Sequence, residues 1–266
     1  MQYPEFERFS VEQRDQVLTL RLNRPQILNC WDMQLNDELF RALDQAADDT
    51  NVRIIIFTGS GRSFCSGGDL AEFRAGIQKD AATYISTIVR KSHEIILQVR
   101  KMGKIAIAAV NGLAAGSGFN LALACDFRIA AASARFSQRF VRVGLSPDTG
   151  GTFFLPQLIG TARATELLMT GDFIDADAAL RLGLVNRVVE DSQLDMATSE
   201  LIDRLAHSAF QAQIAAKRLI NQSSLAALAT HMDAEREAMM WSATTSDFKE
   251  GVTAFLEKRR PQFVGL

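Results

Sequence analysis

The stretch IAIAAVNGLAAGSGFN, residues 105–120, decides how this chain folds. Its first part, Ile105 to Val110, is a continuous apolar run of strand length, which is typical of a strand buried on both faces. A glycine-rich loop follows, and the apolar residues from Phe119 to Ala124 suit a short helix. The stretch therefore predicts a buried strand, a glycine loop and a helix in succession.

An earlier stretch, RIIIFTGSGRSFCSGGDL at residues 53–70, repeats this scheme. The β-branched run from Arg53 to Thr58 predicts a second buried strand, and Gly59-Ser60-Gly61 ends it. The two units share a form but not a sequence, so they indicate an internal structural repeat.

The flanking regions extend this α/β pattern. Leucines alternate with polar residues from Leu18 to Leu22, as in a half-buried strand, and Asp32 then caps a helix that runs to about Ala47. Apolar residues recur at helical spacing from Tyr84 to Val99. After Pro147 the pattern becomes mainly helical, with predicted helices at 151–159, 161–170, 176–182, 196–206, 211–228 and 231–248. We predict an α/β core over residues 1–195 and a helical segment over residues 196–266.

Composition and charge exclude several classes of protein. Hydrophobic residues make up 47% of the chain and charged residues 23%, which is ordinary for a globular protein. The net charge is −2 and basic residues are scattered apart from Lys258-Arg259-Arg260, so nucleic acid is not an expected partner. The cysteines Cys30, Cys65 and Cys125 lack CxxC spacing, which argues against a disulfide framework and a zinc site.

The first residues lack the features of a secretory signal, and the longest apolar run is too short to cross a bilayer. We therefore expect a cytoplasmic protein with no membrane segment and no bound metal.

The two glycine loops carry the chemistry that the sequence predicts. They are Phe64 to Leu70 and Asn111 to Asn120, and each lies between a buried strand and a helix. Unpaired N–H groups and the positive end of a helix dipole favour a negative oxygen at such a place. Two converging loops would offer one N–H each to one oxygen, which is the arrangement of an oxyanion hole. If each glycine loop is considered alone, the simpler interpretation is that its glycines only make a tight turn.

Other glycine-loop and hydrolytic chemistries find no support. Leu121 stands where the dinucleotide fingerprint needs its third glycine, and no GxxxxGK[ST] motif is present. His93, His207 and His231 lie on predicted helices, HExxH is absent, and Ser117 is not in a GxSxG motif.

Four ordered motifs resemble those of the crotonase, or enoyl-CoA hydratase/isomerase, superfamily. They are Leu22 to Pro25, Phe64 to Leu70, Ala109 to Asp126 and Gly144 to Thr152, and the similarity runs from about residue 10 to the end. The resemblance implies a ClpP-like spiral of repeated ββα units that holds an acyl-CoA site within residues 1–195. It also implies that residues 196–266 mediate a homotrimer or a hexamer.

The resemblance also assigns site residues. It implies that the N–H groups of Gly68 and Ser117 form the oxyanion hole, although glycine is commoner at the second position. It implies that a coenzyme A thioester is the substrate, that no cofactor is needed, and that seven residues contact the thioester: Ile27, Leu28, Ser66, Asp69, Leu70, Phe255 and Lys258.

The reaction depends on which acids are present. By motif position, Asn120 and Phe140 replace the two glutamates that hydration requires, and we expect them to line the substrate site. Asp148 remains, either as a helix cap or as a single proton shuttle.

The segment around Asp148 is similar to the enoyl-CoA isomerase branch, which includes ring-1,2-epoxyphenylacetyl-CoA isomerases. This places the chain in fatty-acid or aromatic-acid metabolism. Three alternatives stay open: an atypical hydratase, an enzyme like 4-chlorobenzoyl-CoA dehalogenase, and a non-catalytic acyl-CoA-binding subunit.

Overall fold

A computed structural model describes residues 2–265, and for residues 76–82 it describes the backbone alone. Its strands are β1 Phe9–Arg14, β2 Val17–Leu22, β3 Ile54–Gly59, β4 Ser63–Cys65, β5 Ile105–Val110, β6 Leu113–Ala115, β7 Phe127–Ala131, β8 Arg135–Ser137, β9 Ile174–Asp175 and β10 Arg187–Val189. Its helices are α1 Met33–Asp48, α2 Leu70–Lys101, α3 Ser117–Ala124, α4 Gly151–Thr170, α5 Ala176–Arg181, α6 Leu194–Ala206, α7 Phe210–Gln222, α8 Leu225–Ser242 and α9 Ser246–Leu256. The chain therefore has the α/β fold that the sequence predicts.

The larger sheet has six strands in the order β1-β2-β3-β5-β7-β10. Strands β1 and β2 form an antiparallel pair, and the remaining neighbours are parallel. Successive side chains of β3 point to opposite faces, so Ile55 packs in one hydrophobic cluster with α1 and α2 while Ile54 packs in another with α6 and α7. Both faces are covered, which explains why β3 and β5 read as continuous apolar runs.

A smaller sheet has four strands in the order β4-β6-β8-β9. It begins where the strands of the larger sheet end. Strands β3 and β4 precede α2, and β5 and β6 precede α3, so the units are the ββα repeats that the resemblance implies. Strands β4 and β6 are not predicted by the sequence pattern. Each has three residues, which is too short for a periodic pattern to identify.

Helix boundaries differ from the predictions where capping residues decide them. Helix α2 begins at Leu70 rather than near Tyr84, because the Asp69 carboxylate accepts hydrogen bonds from Ala71 N and Glu72 N at 3.1 and 3.3 Å. The predicted break between 151–159 and 161–170 is a kink at Gly160, whose φ is 75°.

The predicted helix over 211–228 is wrong, because α7 ends at Gln222 and α8 begins at Leu225. Ser223 Oγ donates to Ile220 O at 3.1 Å, which is the competition with the backbone that makes serine a poor helix-interior residue. The predicted 231–248 helix is likewise two helices, since Thr245 caps α9.

The C-terminal helices have two separate tasks. Helices α6 and α7 cover the large sheet through Leu194, Ala197 and Ile214, so no gap in packing marks residue 195. Helices α8 and α9 pack instead against α2 and the 3-10 turn Arg139–Val143. The division at residue 195 stays a prediction.

Candidate active site

A cavity of about 730 Å³ lies between the two glycine loops and the last helices. Its walls come from the loop Ser66 to Asp69, from residues 115–117, from α2, from the turn at residues 139–143, and from α8 and α9. Segments from both ends of the chain therefore meet around one concave site, which is the usual form of a small-molecule pocket.

The two glycine loops touch each other on the wall of this cavity. Gly67 has a φ of 90°, and a Cβ built on it would lie 2.9 Å from Ala115 O and 3.6 Å from Gly116 Cα. A Cβ on Gly116, whose φ is 51°, would lie 3.7 Å from Gly67 Cα. Only glycine allows this approach at both positions, so the convergence that the sequence predicts is present.

The backbone N–H groups of Gly68 and Ser117 can both be followed in the structure. Gly68 forms a parallel bridge with Trp31, in which Gly67 O and Asp69 N make the hydrogen bonds to Trp31 at 2.8 Å each. The N–H of Gly68 therefore points to the other side of this pairing. Ser117 is the first residue of α3, where an N–H has no partner within the helix. Both residues line the cavity.

Ion pairs hold the first of these loops. Arg24 bonds the carboxylates of Asp32 at 2.5 Å and Asp69 at 3.3 Å, and Arg8 bonds Asp32 at 2.7 Å. These side chains are largely buried, and Asp69 also caps α2. The carboxylate of Asp69 thus has a structural task beside the Gly68 N–H group.

Asp148 lines the cavity and is 3% exposed. Burial, together with the negative charge of Glu235, raises the pKa of Asp148 from 3.8 to about 8. Thr149 Oγ1 donates to Asp148 Oδ1 at 3.1 Å, which opposes this shift. The residue at the cap of α4 is Gly150 and it has no side-chain cap bond, so Asp148 is not a helix cap.

A chain of buried amides supports Asp148 from behind. Asn120 Nδ2 donates to Asp148 O at 2.8 Å and to Thr149 Oγ1 at 3.0 Å, and Gln138 Nε2 donates to Asn120 Oδ1 at 2.7 Å. Asn120 is fully buried and is absent from the cavity wall. The structure thus corrects the expected role of Asn120 as a substrate contact, because its amide is used inside the protein.

The backbone beside Asp148 is strained and is held in place by α2. Thr149 has a φ of 53°, a left-handed conformation that a β-branched residue rarely adopts. Its N–H donates to Nε2 of His93 at 3.3 Å. Burial lowers the pKa of His93 to about 4, so the ring is neutral near pH 7 and can accept this bond. His93 acts on the loop and is not on the cavity wall.

Phe140 lines the cavity as predicted, and its ring lies 3.4 Å from a Cβ built on Gly116. It belongs to an apolar wall that sequence reasoning identified only in part. The wall also contains Phe73, Ile88, Val89, Leu145 and Met239. Phe136 and Phe154, which the sequence could not distinguish from these, are core residues.

The predicted contacts to the thioester all lie on the cavity wall, and they are Ile27, Leu28, Ser66, Asp69, Leu70, Phe255 and Lys258. Arg259, the next residue in the basic tail, instead pairs with Glu250 at 2.5 and 2.8 Å. Lys258 is therefore the member of this tail that the structure brings to the cavity.

One buried acid near the site was missed by sequence reasoning. Glu235 lies on α8 and is 5% exposed. It falls on the buried face of this helix, three residues after Met232 and four before Met239, so helical spacing was a signal for its burial. That spacing does not tell which loop the buried face meets.

Among the residues that the structure describes, no group of His, Cys, Asp and Glu side chains could hold a metal ion. Within that same part of the chain, each helix is too short or too polar to span a membrane.

Comparisons with known proteins identify the family to which this fold and sequence are similar. The sequence model of a family described as enoyl-CoA hydratase/isomerase matches residues 12–265. An enoyl-CoA hydratase from Mycobacterium avium subsp. paratuberculosis has a similar structure, with a TM-score of 0.88 and 28% identity over 98% of this chain and all of that one.

Several relatives are similar over nearly their whole length. The chain is 39% identical to the trans-2-decenoyl-acyl-carrier-protein isomerase of Streptococcus mutans, covering 94% of this chain and 95% of that protein. It is 37% identical to the 1,2-epoxyphenylacetyl-CoA isomerase of Escherichia coli, with the same coverage. It is also 37% identical to the crotonyl-CoA hydratase of Syntrophomonas wolfei, covering 97% and 98%. These names include both isomerases and a hydratase.

Proposed function

The chain belongs to the enoyl-CoA hydratase/isomerase family, and we propose that it is an isomerase that moves a double bond within an enoyl thioester. The observation that supports this choice is the set of carboxyl groups on the cavity wall. Within the described part of that wall they are Asp69 and Asp148. Because Asp69 caps α2 and pairs with Arg24, Asp148 is the group left for proton transfer.

The reaction needs one group that first accepts a proton and then returns it. The Asp148 carboxylate removes a proton from C2 of a 3-enoyl thioester, and the electrons of that C–H bond move into the thioester carbonyl. The resulting dienolate oxygen accepts hydrogen bonds from the N–H groups of Gly68 and Ser117. Protonated Asp148 then returns the proton to C4, which leaves the double bond at C2 and regenerates the carboxylate.

Hydration is less well supported, because it needs a water molecule held between two carboxyl groups. Asn120 lies behind the cavity wall and Phe140 offers a hydrocarbon ring. A dehalogenase of the 4-chlorobenzoyl-CoA type would need a partner histidine at the site. Within the described residues of the cavity wall no histidine occurs, and His93 bonds the backbone of Thr149.

The substrate we propose is a coenzyme A thioester with an apolar acyl group and no additional cofactor. The wall formed by Phe73, Ile88, Val89 and Met239 favours a hydrocarbon chain or ring. Lys258 provides a cation on the same cavity wall for a phosphate group. A thioester of acyl carrier protein is a second candidate, since one relative is named for such a substrate.

The test compares wild type with Asp148→Asn on 3-enoyl, 2-enoyl and ring-epoxide thioesters, each on coenzyme A and on acyl carrier protein. We expect isomerisation to fall by about 10²–10⁴-fold in the variant, the usual effect of removing a general acid–base group. Binding of a saturated thioester should persist, because the amide is nearly isosteric. Products are followed by mass spectrometry, and exchange of C2 hydrogens in heavy water reports proton removal.

A fully active Asp148→Asn variant would contradict the mechanism. Tight thioester binding without turnover or exchange in the wild type would instead identify a binding subunit.

A further inference from the structure

Glu235 lies on the far side of the Asp148 loop from the cavity. Its Oε2 atom accepts a hydrogen bond from Gly150 N at 2.7 Å, and its Oε1 atom accepts bonds from Thr152 N at 3.0 Å and from Thr152 Oγ1. A single side chain of α8 therefore fastens the backbone on both sides of Gly151. Glu235 is absent from the cavity wall, so it acts on the site through this loop.

The same hydrogen bonds favour a negative charge on Glu235 and oppose the effect of burial, which raises the pKa of this residue. Three donors point at the Glu235 carboxylate, whereas the Asp148 side chain accepts hydrogen bonds from Thr149 Oγ1 and from its own backbone N–H. Hydrogen-bond donors favour the ionised form of a carboxyl group. Glu235 is therefore the better site for the charge, and Asp148 is the better site for the proton.

A histidine completes the arrangement behind Glu235. Thr152 gives its single hydroxyl proton to Glu235, so the contact of 2.7 Å between Thr152 Oγ1 and His231 Nε2 has the ring as donor. His231 Nε2 is 4.0 Å from Glu235 Oε1. The hydroxyl of Thr152 thus connects a half-exposed histidine to a buried carboxylate.

We propose that Glu235 is a positioning residue for Asp148, which fixes the loop at residues 148–152 and presents a negative charge behind Asp148. The inference rests on the proposed function, because it assigns Glu235 a task in the reaction of Asp148. The negative charge also strengthens Asp148 as a base once it has lost its proton, since a carboxylate of higher proton affinity removes a C–H proton more readily.

Other titratable groups near the loop lie on α2 and α8. Helix α2 contributes His93, whose pKa is lowered to about 4 by burial and by Arg236, so this ring is uncharged at neutral pH. Asp233 of α8 opposes that effect on His93. Glu235 is the charged group that raises the pKa of Asp148 beyond what burial does.

The experiment measures kcat/KM against pH for wild type, Glu235→Gln and the control Glu38→Gln. Wild type should show a limb that rises with pH and has its midpoint near pH 8, because the carboxylate form of Asp148 starts the reaction. In Glu235→Gln we expect this midpoint to fall by about one pH unit or more. We also expect the plateau at high pH to fall, since the base is weaker.

The control removes a comparable charge elsewhere. Glu38 is 3% exposed and accepts hydrogen bonds from the backbone N–H groups of Glu7 and Arg8. Glu38→Gln therefore also removes the charge of a buried carboxylate that binds backbone N–H groups. Its midpoint should equal that of wild type. If Glu235→Gln loses rate at every pH with an unmoved midpoint, Glu235 is only structural and the inference is wrong, while the Asp148 mechanism stands. If Asp148→Asn is fully active, the mechanism and the inference fall together.

A second measurement tests the inference about Glu235 if the Glu235→Gln variant does not fold. The carboxyl carbon of Glu235 is followed by carbon-13 resonance in wild type and in Asp148→Asn. Ionisation of Asp148 near pH 8 should appear as an additional inflection of the Glu235 signal in wild type and vanish in the variant. A Glu235 signal without that inflection in wild type means that the two groups are not coupled and overturns the inference.

Discussion

At Asp148, burial and the neighbouring Glu235 oppose ionisation, and this makes the stability of the protein depend on pH. The folded protein binds the Asp148 proton up to about pH 8, whereas the unfolded chain releases it near the ordinary value of 3.8. Between these values the folded state holds more protons, so this residue lowers the free energy of unfolding as pH rises. The loss is complete above the pKa of the folded state.

Asp148→Asn removes this titration. We expect the melting temperature of the variant, relative to wild type, to increase from about pH 5 to about pH 8, since only wild type loses stability there. Thermal unfolding monitored by circular dichroism checks this. A constant difference across that range would show that Asp148 does not hold a proton in the folded state.

A different prediction concerns Asn120. This residue stands at the motif position of a glutamate that hydration requires, but it does not lie on the cavity wall. Asn120→Glu puts a carboxylate among Gln138, Thr149 and Gly151, where the amide now lies 2.7 Å from a Cβ built on Gly151. We expect a loss of about 3 kcal/mol or more in the free energy of unfolding and no gain of hydratase activity.

Phe140→Glu is the matched change on the cavity wall, where the ring is 7% exposed. Urea unfolding and assay with a 2-enoyl thioester compare the two variants. Motif positions suggest that replacing both Asn120 and Phe140 with glutamate would produce hydratase activity. The buried amide network around Asn120 argues against this. A stable double variant with strong hydratase activity would show that Asn120 can turn toward the cavity.

At the scale of elements, the contact between the two glycine loops can be tested with a pair of glycines that both have a positive φ. Gly67 and Gly183 have φ values of 90° and 78°. A Cβ on Gly67 meets the Ala115 carbonyl at 2.9 Å, whereas a Cβ on Gly183 meets nothing within 4 Å. Backbone strain should lower the free energy of unfolding of each alanine variant by about 1–2 kcal/mol.

Gly67→Ala should also separate the loops that carry the Gly68 and Ser117 N–H groups. We expect its turnover to fall by about 10²–10³-fold, the effect of losing one oxyanion donor, while Gly183→Ala keeps the activity of wild type. Steady-state kinetics and melting temperatures are measured for both variants. Equal activity in the two would mean that the loop contact does not set the geometry of the donors.

Sequence patterns predicted the elements whose residues carry a clear period or a capping signal. Strands β3 and β5 and helix α1 lie where the apolar runs and Asp32 indicate them. The short strands β4 and β6 have no period of their own, and the α7–α8 boundary depends on Ser223 turning back to the backbone.

For the site, the glycine loops and Asp148 follow local motifs, so the sequence was sufficient to find them. The apolar wall and Glu235 depend on contacts between α8 and residues far away along the chain. Helical spacing places Glu235 on the buried face of α8, but it does not tell which distant residues that face contacts.

At the scale of the whole molecule, we predict a homotrimer or a hexamer. The sequence suggests three other apolar residues for this association, but they pack against the large sheet of the same chain. They are Leu201, Leu205 and Ile214. Leu219 and Ile220 remain 68% exposed on α7.

Light scattering across micromolar concentrations measures the assembly, and replacing Leu219 and Ile220 together with glutamate should shift it toward the monomer. Leu180→Glu, at an exposed leucine on α5, serves as the control. A monomeric wild type would contradict the prediction.

The last described strand ends at Val189, whereas Met239, Phe255 and Lys258 complete the cavity. During synthesis on a ribosome, a nascent chain that has released all these strands still lacks one wall of its pocket and the partner carboxylate of Asp148. We therefore expect an unfinished copy to have no complete pocket for a thioester until its last helices have been made.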